Sequence, residues 1–349
     1  MATVTMPLQA AEGSAAPNPS HLWSAAPSRS VDVEAKAIDS GGAKLSGTLY
    51  MPKAARPAPL AIVFHSASSP TRDLPLYRHV TEMLPSLGVA VFVFDRRGSG
   101  ASSGKLADSD YAMLADDGIA AQKTLAKDPR IDAKRIGFWG LSQGGWLSLL
   151  AASRSPEAAF AVSISAPMTT PDVQMIFASA NILRIRGYSE SDVDQAVAVR
   201  TALDDFMRGT RDRASTQALL DAAATKPWFQ YIYMSKTFKD PGESRWAKEI
   251  RHDPLATLSQ VKQPALVIYG SADPWVPVQT SVERLRAKAA EHPNVDVTVI
   301  AGADHSMNTS VSLQDQIDPA LSSREGPNAA EYFGVLAAWL AEHGIARTK

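Results

Sequence analysis

A chain of 349 residues with 45% hydrophobic and 20% charged side chains can bury a large core, and its length suits one α/β core carrying an inserted subdomain. Lys and Arg number 35 against 36 Asp and Glu, a formal net charge of −1, which argues against a nucleic-acid surface or an acidic tail. The absence of cysteine removes disulfides, thiolate nucleophiles and Cys-ligated metals together.

Residues 1–30 are rich in Ala, Pro and Ser, lack periodicity and read as a flexible N-terminal arm without the apolar centre of a signal peptide. No segment approaches the roughly 20 apolar residues of a membrane span; a soluble protein is expected, with cytoplasm and export both open. Weak alternation over 31–37, the Gly41-Gly42 turn and a second extended stretch over 44–51 predict an antiparallel hairpin at one sheet edge. The runs 60–64 and 89–94 are continuously apolar, as strands buried on both faces require, and 74–87 between them reads as a helix closed by Gly88. Leu114, Ile119 and Leu125 predict a helix over 111–127, with Pro129 beyond its end. A strand over 135–139, a helix over 144–153 and a strand over 159–164 continue the alternation, which implies a mostly parallel sheet covered on both faces.

From 171 to 251 no buried strand is evident, only helical stretches and an aromatic segment. Strands return at 265–269 and 295–300 with a helix over 278–290 between them, and a last helix runs over 328–342. The expected organisation is therefore the arm (1–30), a core in two parts (31–170 and 252–349) and a helical insertion (171–251).

Gly-x-Ser-x-Gly occurs twice. Gly100-Ala101-Ser102-Ser103-Gly104 lies in a Gly/Ser-rich loop with no helix beginning at it and reads as a turn. Gly140-Leu141-Ser142-Gln143-Gly144 has a strand running in and a helix running out, so Ser142 is expected on a tight, strained bend that exposes its hydroxyl. A serine N-cap is the plainer alternative. Together with Phe94-Asp95-Arg96-Arg97-Gly98-Ser99-Gly100, this elbow resembles the α/β-hydrolase superfamily, nearest to bacterial esterase, dienelactone-hydrolase-like and serine-aminopeptidase-like members. The resemblance covers about 31–167 and 254–346 and leaves the insertion unmatched. It implies an α/β-hydrolase fold, on which the helical insertion is expected to form a cap.

A neutral serine needs a base, and imidazole titrates near working pH. Of the seven histidines, His21 and His343 are near the ends, His79 sits inside a helix, His292 is at the wrong end of the sheet and His252 begins the return to the core. His305 follows the strand 295–300, at the carboxyl end where active groups of such sheets gather. Asp273 follows the strand 265–269 in the same way, and Gly270-Ser271-Ala272-Asp273-Pro274-Trp275 resembles the acid loop of the superfamily; Asp253 is the weaker rival, and Asp304 adjoins the base. The resemblance implies the order Ser142, Asp273, His305.

For an oxyanion, one donor is expected from the Gln143 amide and another from the loop after 60–64, where the family usually has His-Gly and this chain has His65-Ser66-Ala67-Ser68. Ala67 is the expected donor by position, with Ser66 as the alternative, and His65 reads as a loop-stabilising residue. Arg96 and Arg97 read as braces paired with Asp95 or Asp116, with anion binding as the alternative. Trp228, Phe229, Tyr231, Tyr233 and Met234 suit a subdomain core, with Trp228 and Tyr231 as candidate pocket residues beside Trp275 and Met307. The polar stretch 308–327 is expected to rim the entrance.

The chemistry expected is carboxylic ester hydrolysis through an acyl-enzyme, with no metal or organic cofactor and a small-molecule substrate. Amide or peptide cleavage and acyl transfer by the same residues stay open, as does a non-catalytic binder on the same scaffold.

Overall fold

A computed structural model describes residues 31–53, 57–309, 312–318 and 327–346; the arm at 1–30 and much of the stretch 308–327 lie outside the described residues. Strands β1 (Val31–Ser40) and β2 (Ala43–Pro52) form the expected hairpin about Gly41-Gly42. They stand at one edge of an eight-stranded sheet of order β1-β2-β4-β3-β5-β6-β7-β8. β2 runs antiparallel to β4 (Ala90–Phe94). β3 (Ala58–Phe64), β4, β5 (Ile131–Leu141), β6 (Ala161–Ile164), β7 (Ala265–Gly270) and β8 (Val295–Ile300) are all parallel.

The continuous apolar runs divide by the period of two that a strand imposes. Leu60, Ile62 and Phe64 of β3 join a core with α2 (Tyr111–Leu125), α3 (Gln143–Arg154), α8 (Pro254–Leu258) and α9 (Val278–Ala287). Ala61 and Val63 face the opposite way, into a core with α1 (Arg78–Ser86) and α11 (Ala330–Glu342). At roughly 25 cal/mol per Å² of apolar surface removed from water, these two layers are the main stabilising term. The helix expected over 74–87 begins instead with a 3-10 turn at Pro75–Tyr77.

Between β6 and β7 the chain makes α4 (Pro171–Ile185), α5 (Glu190–Arg208), α6 (Arg213–Ala223), a 3-10 turn at Pro227–Tyr231 and α7 (Arg245–Glu249). α5 starts on a capping box of Ser189 and Asp192 and ends at Gly209, which satisfies its terminal amides and carbonyls locally. Leu183, Val193, Val199, Leu220 and Trp228 form a hydrophobic cluster separate from the two beside the sheet. After β8 come α10 (Leu313–Gln316) and α11. Among the described residues no helix is long and apolar enough to cross a membrane.

Candidate active site

β5 ends at Leu141 and α3 begins at Gln143, leaving Ser142 alone at the bend with φ 57° and ψ −123°. A side chain rarely adopts a positive φ, and here the neighbours enforce it. A methyl group at Gly140 would lie 1.9 Å from the Gly144 carbonyl oxygen, and one at Gly144 would lie 2.4 Å from that of Phe64. The Ser142 amide donates to the Ile164 carbonyl at 2.7 Å, tying the bend to β6. Its hydroxyl caps nothing. Ser102 is different: its hydroxyl donates to the Asp95 carbonyl at 2.6 Å and accepts from the Ser46 amide at 2.9 Å.

The order β5-β6-β7-β8 sends the loops after β5, β7 and β8 out of one sheet edge, carrying Ser142, Asp273 and His305 in turn. His305 Nδ1 bonds Asp273 Oδ2 at 2.6 Å. The other carboxylate oxygen accepts from the Trp275 and Val276 amides at 2.8 and 3.2 Å, so Asp273 is fixed from both sides. Burial pushes the His305 imidazole down, but the charge of Asp273, its hydrogen bond and the field of Asp304 outweigh that and hold it above its ordinary value. No hydrogen bond joins His305 to the Ser142 hydroxyl among the described residues. The Trp275 ring meets the imidazole edge-on at 5.6 Å between centroids.

Rival groups have other work. Asp304 accepts from the Ser306 and Asn308 amides at 2.8 and 2.7 Å and ties the turn after His305. Asp253 caps α8 through the Leu255 and Ala256 amides. His79 is enclosed by Trp139, Tyr332 and Phe333, and His252 lies between Tyr111 and Trp146. Burial pushes both down to about 4.

In the loop after β3, the Ser66 amide donates to the Tyr77 hydroxyl at 3.0 Å, which itself donates to the Ser69 carbonyl at 2.6 Å. The Ala67 amide has no acceptor among the described residues, and neither has that of Gln143, at the start of α3. The Gln143 side chain donates to the Tyr111 hydroxyl at 3.2 Å. His65 Nε2 bonds the Phe94 carbonyl, and burial followed by the Arg96 charge pushes its ring down to about 3. It is a neutral brace.

Neither arginine pairs as expected. Arg97 forks onto Asp117, with Nε donating at 2.8 Å, and Arg96 donates to the carbonyls of His65, Ser66 and Ala67. Asp95 holds Arg72 and the Ala101 amide, and Asp116 holds Arg154. Adjacent positions on α2 point about 100° apart, so exposed Asp116 and buried Asp117 face different sides, and Arg97 reaches the inner one.

Two candidate pocket residues are corrected by their burial. Trp228 is 1% exposed in the cluster of the insertion, its indole donating to Asp192. Met307 is 1% exposed within the core beneath α11, where a substrate has no access. Tyr231 lies under the Arg186 guanidinium, 3.8 Å from its centroid, and lines a cavity of about 350 Å³ with Tyr188 and Ile317. The Trp275 ring stands against His305. Its indole donates to the Tyr233 hydroxyl at 3.1 Å, while Gln174 and Asn181 of α4 donate to the Trp275 and Pro274 carbonyls at 3.0 and 2.8 Å. These α4 amides and Tyr77 were not marked by any sequence signal. Among the described residues no group of three or more His, Asp or Glu side chains gathers as a metal site would.

The family described as serine aminopeptidase, S33, matches residues 73–309. That match runs through 171–251, which the elbow motifs had left out, and begins beyond the His65 loop. A thiohydrolase of Arthrinium phaeospermum is 32% identical over 136 residues, 38% of this chain and 41% of the relative; the chain thus spans about two fifths of that protein's length. An esterase of Pyrococcus furiosus has a TM-score of 0.57 at 19% identity, covering 95% of both chains. A dienelactone hydrolase of Anabaena variabilis has a TM-score of 0.51 at 17% identity, covering 90% of this chain and 99% of its own. At these identities the two structures establish a shared α/β-hydrolase fold.

Proposed function

This chain belongs to the serine aminopeptidase S33 family of α/β-hydrolases, and from that premise we propose that it is a serine-dependent carboxylic ester hydrolase working through an acyl-enzyme. The observation that carries the reading is the 2.6 Å bond from His305 to a buried Asp273, on the sheet edge where Ser142 is held at φ 57°. Asp273 takes the Nδ1 proton of the imidazole into its hydrogen bond and leaves Nε2 free to act as base. Ser142 Oγ bonds to the ester carbonyl carbon as its proton passes to Nε2, and the Ala67 and Gln143 amides receive the oxyanion. The C–O bond then breaks, the alkoxide leaving with the proton from Nε2. Water, deprotonated by the same nitrogen, then bonds to the acyl carbon; the C–Oγ bond breaks, Ser142 Oγ takes the proton back from Nε2, and the carboxylic acid leaves.

The family description favours amide cleavage as a second reading, and an aminopeptidase needs a carboxylate to hold the substrate's amine. The three buried carboxylates of the insertion, Asp172, Asp204 and Glu249, are engaged by Arg208, Trp246 and Arg245 respectively. Asp172 Oδ1 and Asp204 Oδ2 keep no hydrogen bond among the described residues, so amide cleavage stays as the second reading. The thiohydrolase likeness adds thioesters to the carbonyl substrates worth offering.

Fluorophosphonate labelling is expected to modify Ser142, and Ser142→Ala is expected to remove labelling and ester turnover with the fold intact. Offered side by side, p-nitrophenyl esters should turn over faster than acyl thioesters or aminoacyl anilides. Label mapped elsewhere would overturn the nucleophile, and faster anilide turnover would move the substrate class to amides.

A further inference from the structure

Arg96 is 2% exposed, and its hydrogen bonds go to backbone. Its guanidinium donates to the His65 carbonyl at 3.2 Å, to that of Ser66 at 2.5 Å and to that of Ala67 at 3.3 Å. A cation buried without a bonded carboxylate is costly, so three consecutive carbonyls pointing at it are an arrangement that the rest of the fold must support. Burial pushes it down to about 10, which leaves it charged at neutral pH.

The middle contact is the informative one. The Ser66 carbonyl and the Ala67 N–H belong to one planar trans peptide and point in opposite directions. Fixing the carbonyl against Arg96 therefore aims the Ala67 N–H away from it, at an exposed residue whose amide has no acceptor among the described residues. A charge on the carbonyl oxygen also draws electron density from the nitrogen and strengthens the N–H as a donor. Water is excluded from the guanidinium, so its field is little screened.

The neighbouring peptide acts as a control. Its carbonyl, on His65, is held in the same way, but its Ser66 N–H is consumed by Tyr77. Neither Ser66 nor Ala67 has a positive φ, so a glycine is not required for this turn. An external cation holds it.

We propose that Arg96 is a positioning residue for acyl transfer, fixing and polarising the peptide whose Ala67 N–H receives the oxyanion. The inference rests on the reading of Ser142 as nucleophile and deepens it. The more familiar basic residue of the segment, Arg97, has no part in it, being spent on Asp117.

The test compares wild type, Arg96→Lys and Arg96→Met with a p-nitrophenyl ester and an aryl trifluoromethyl ketone, which forms a tetrahedral adduct with the serine. Arg96→Met is expected to lower kcat by about a hundredfold, the usual scale for an oxyanion donor, with KM little changed. Affinity for the ketone should fall in the same proportion. Arg96→Lys, which keeps the charge and part of the bonding, should recover about tenfold of that loss. If the methionine variant does not fold, the lysine variant decides alone: a kcat loss at constant KM supports the proposal. Folded variants with wild-type kcat and ketone affinity, or with only a lowered Tm, would overturn it. Wild type that neither hydrolyses the ester nor takes a fluorophosphonate at Ser142 would instead remove the underlying reading, and this inference with it.

Discussion

Asp273 opposes what burial does to His305. Removing imidazole from water disfavours its charged form, while the adjacent carboxylate favours it, and the carboxylate wins. As the proposed base, His305 works only when unprotonated, so kcat/KM should rise with pH through a midpoint above the ordinary imidazole value of 6.5. In Asp273→Asn only the smaller field of Asp304 still opposes burial, so the midpoint should move below 6.5. The maximal rate should fall by about 10⁴-fold, as loss of the correct tautomer does elsewhere. A pH–rate profile of both proteins checks this, and an unmoved acid limb would show that another group titrates. At this scale the sequence reached as far as position along a strand: it put Ser142 at the bend after β5, and Asp273 and His305 on the two loops that the 2.6 Å bond joins. It was silent where direction decided. Trp228 and Met307 look the same in a sequence whether they face a pocket or a core, and Asp116 and Asp117 differ only by the turn of a helix.

The strands were legible because burial on both faces leaves continuous apolar runs, and β3, β4, β6 and β7 are buried at every position. Element ends were less so: β5 extends back to Ile131 through exposed Ala133 and Lys134, residues that carry no strand pattern. The elbow between β5 and α3 was legible from its two small residues, and its geometry makes them obligatory. Gly140→Ala is expected to destabilise by about 3 kcal/mol or more, since its methyl meets backbone that cannot rotate aside, and to remove activity by displacing Ser142. Ser102→Ala, in the other copy of the motif, should cost about 1 kcal/mol for its lost hydrogen bonds and leave kcat near wild type. Urea denaturation and ester turnover on both variants distinguish the two copies; matching activity losses would undo the contrast.

Across the whole molecule, buried neutral histidines set a limit on acid tolerance. His79 and His252 are pushed down to about 4 and His65 to about 3, from 6.5. As pH falls below 6.5 the unfolded chain takes up protons that the folded chain refuses, so stability present above 6.5 drains away between 6.5 and 4. Tm should therefore fall over that window, and His79→Phe, if it folds, should show a shallower fall; a Tm flat from pH 7 to 4 would contradict the assignment. The expected alternation of core and insertion could be read from the loss of strand pattern after 171, but the stitching between them could not. It includes the amides of Gln174 and Asn181, whose partners are backbone carbonyls more than ninety positions away, the Trp275 indole on the Tyr233 hydroxyl and Arg186 on the Ile317 carbonyl.

Those two amides have a mechanical consequence. The loop they grip is the one that supports the carboxylate behind the imidazole. If α4 lifted away to admit a bulky guest, it would tug that carboxylate out of register in the same stroke. Opening by that route would disarm the proposed triad, which favours entry past a helix that stays seated.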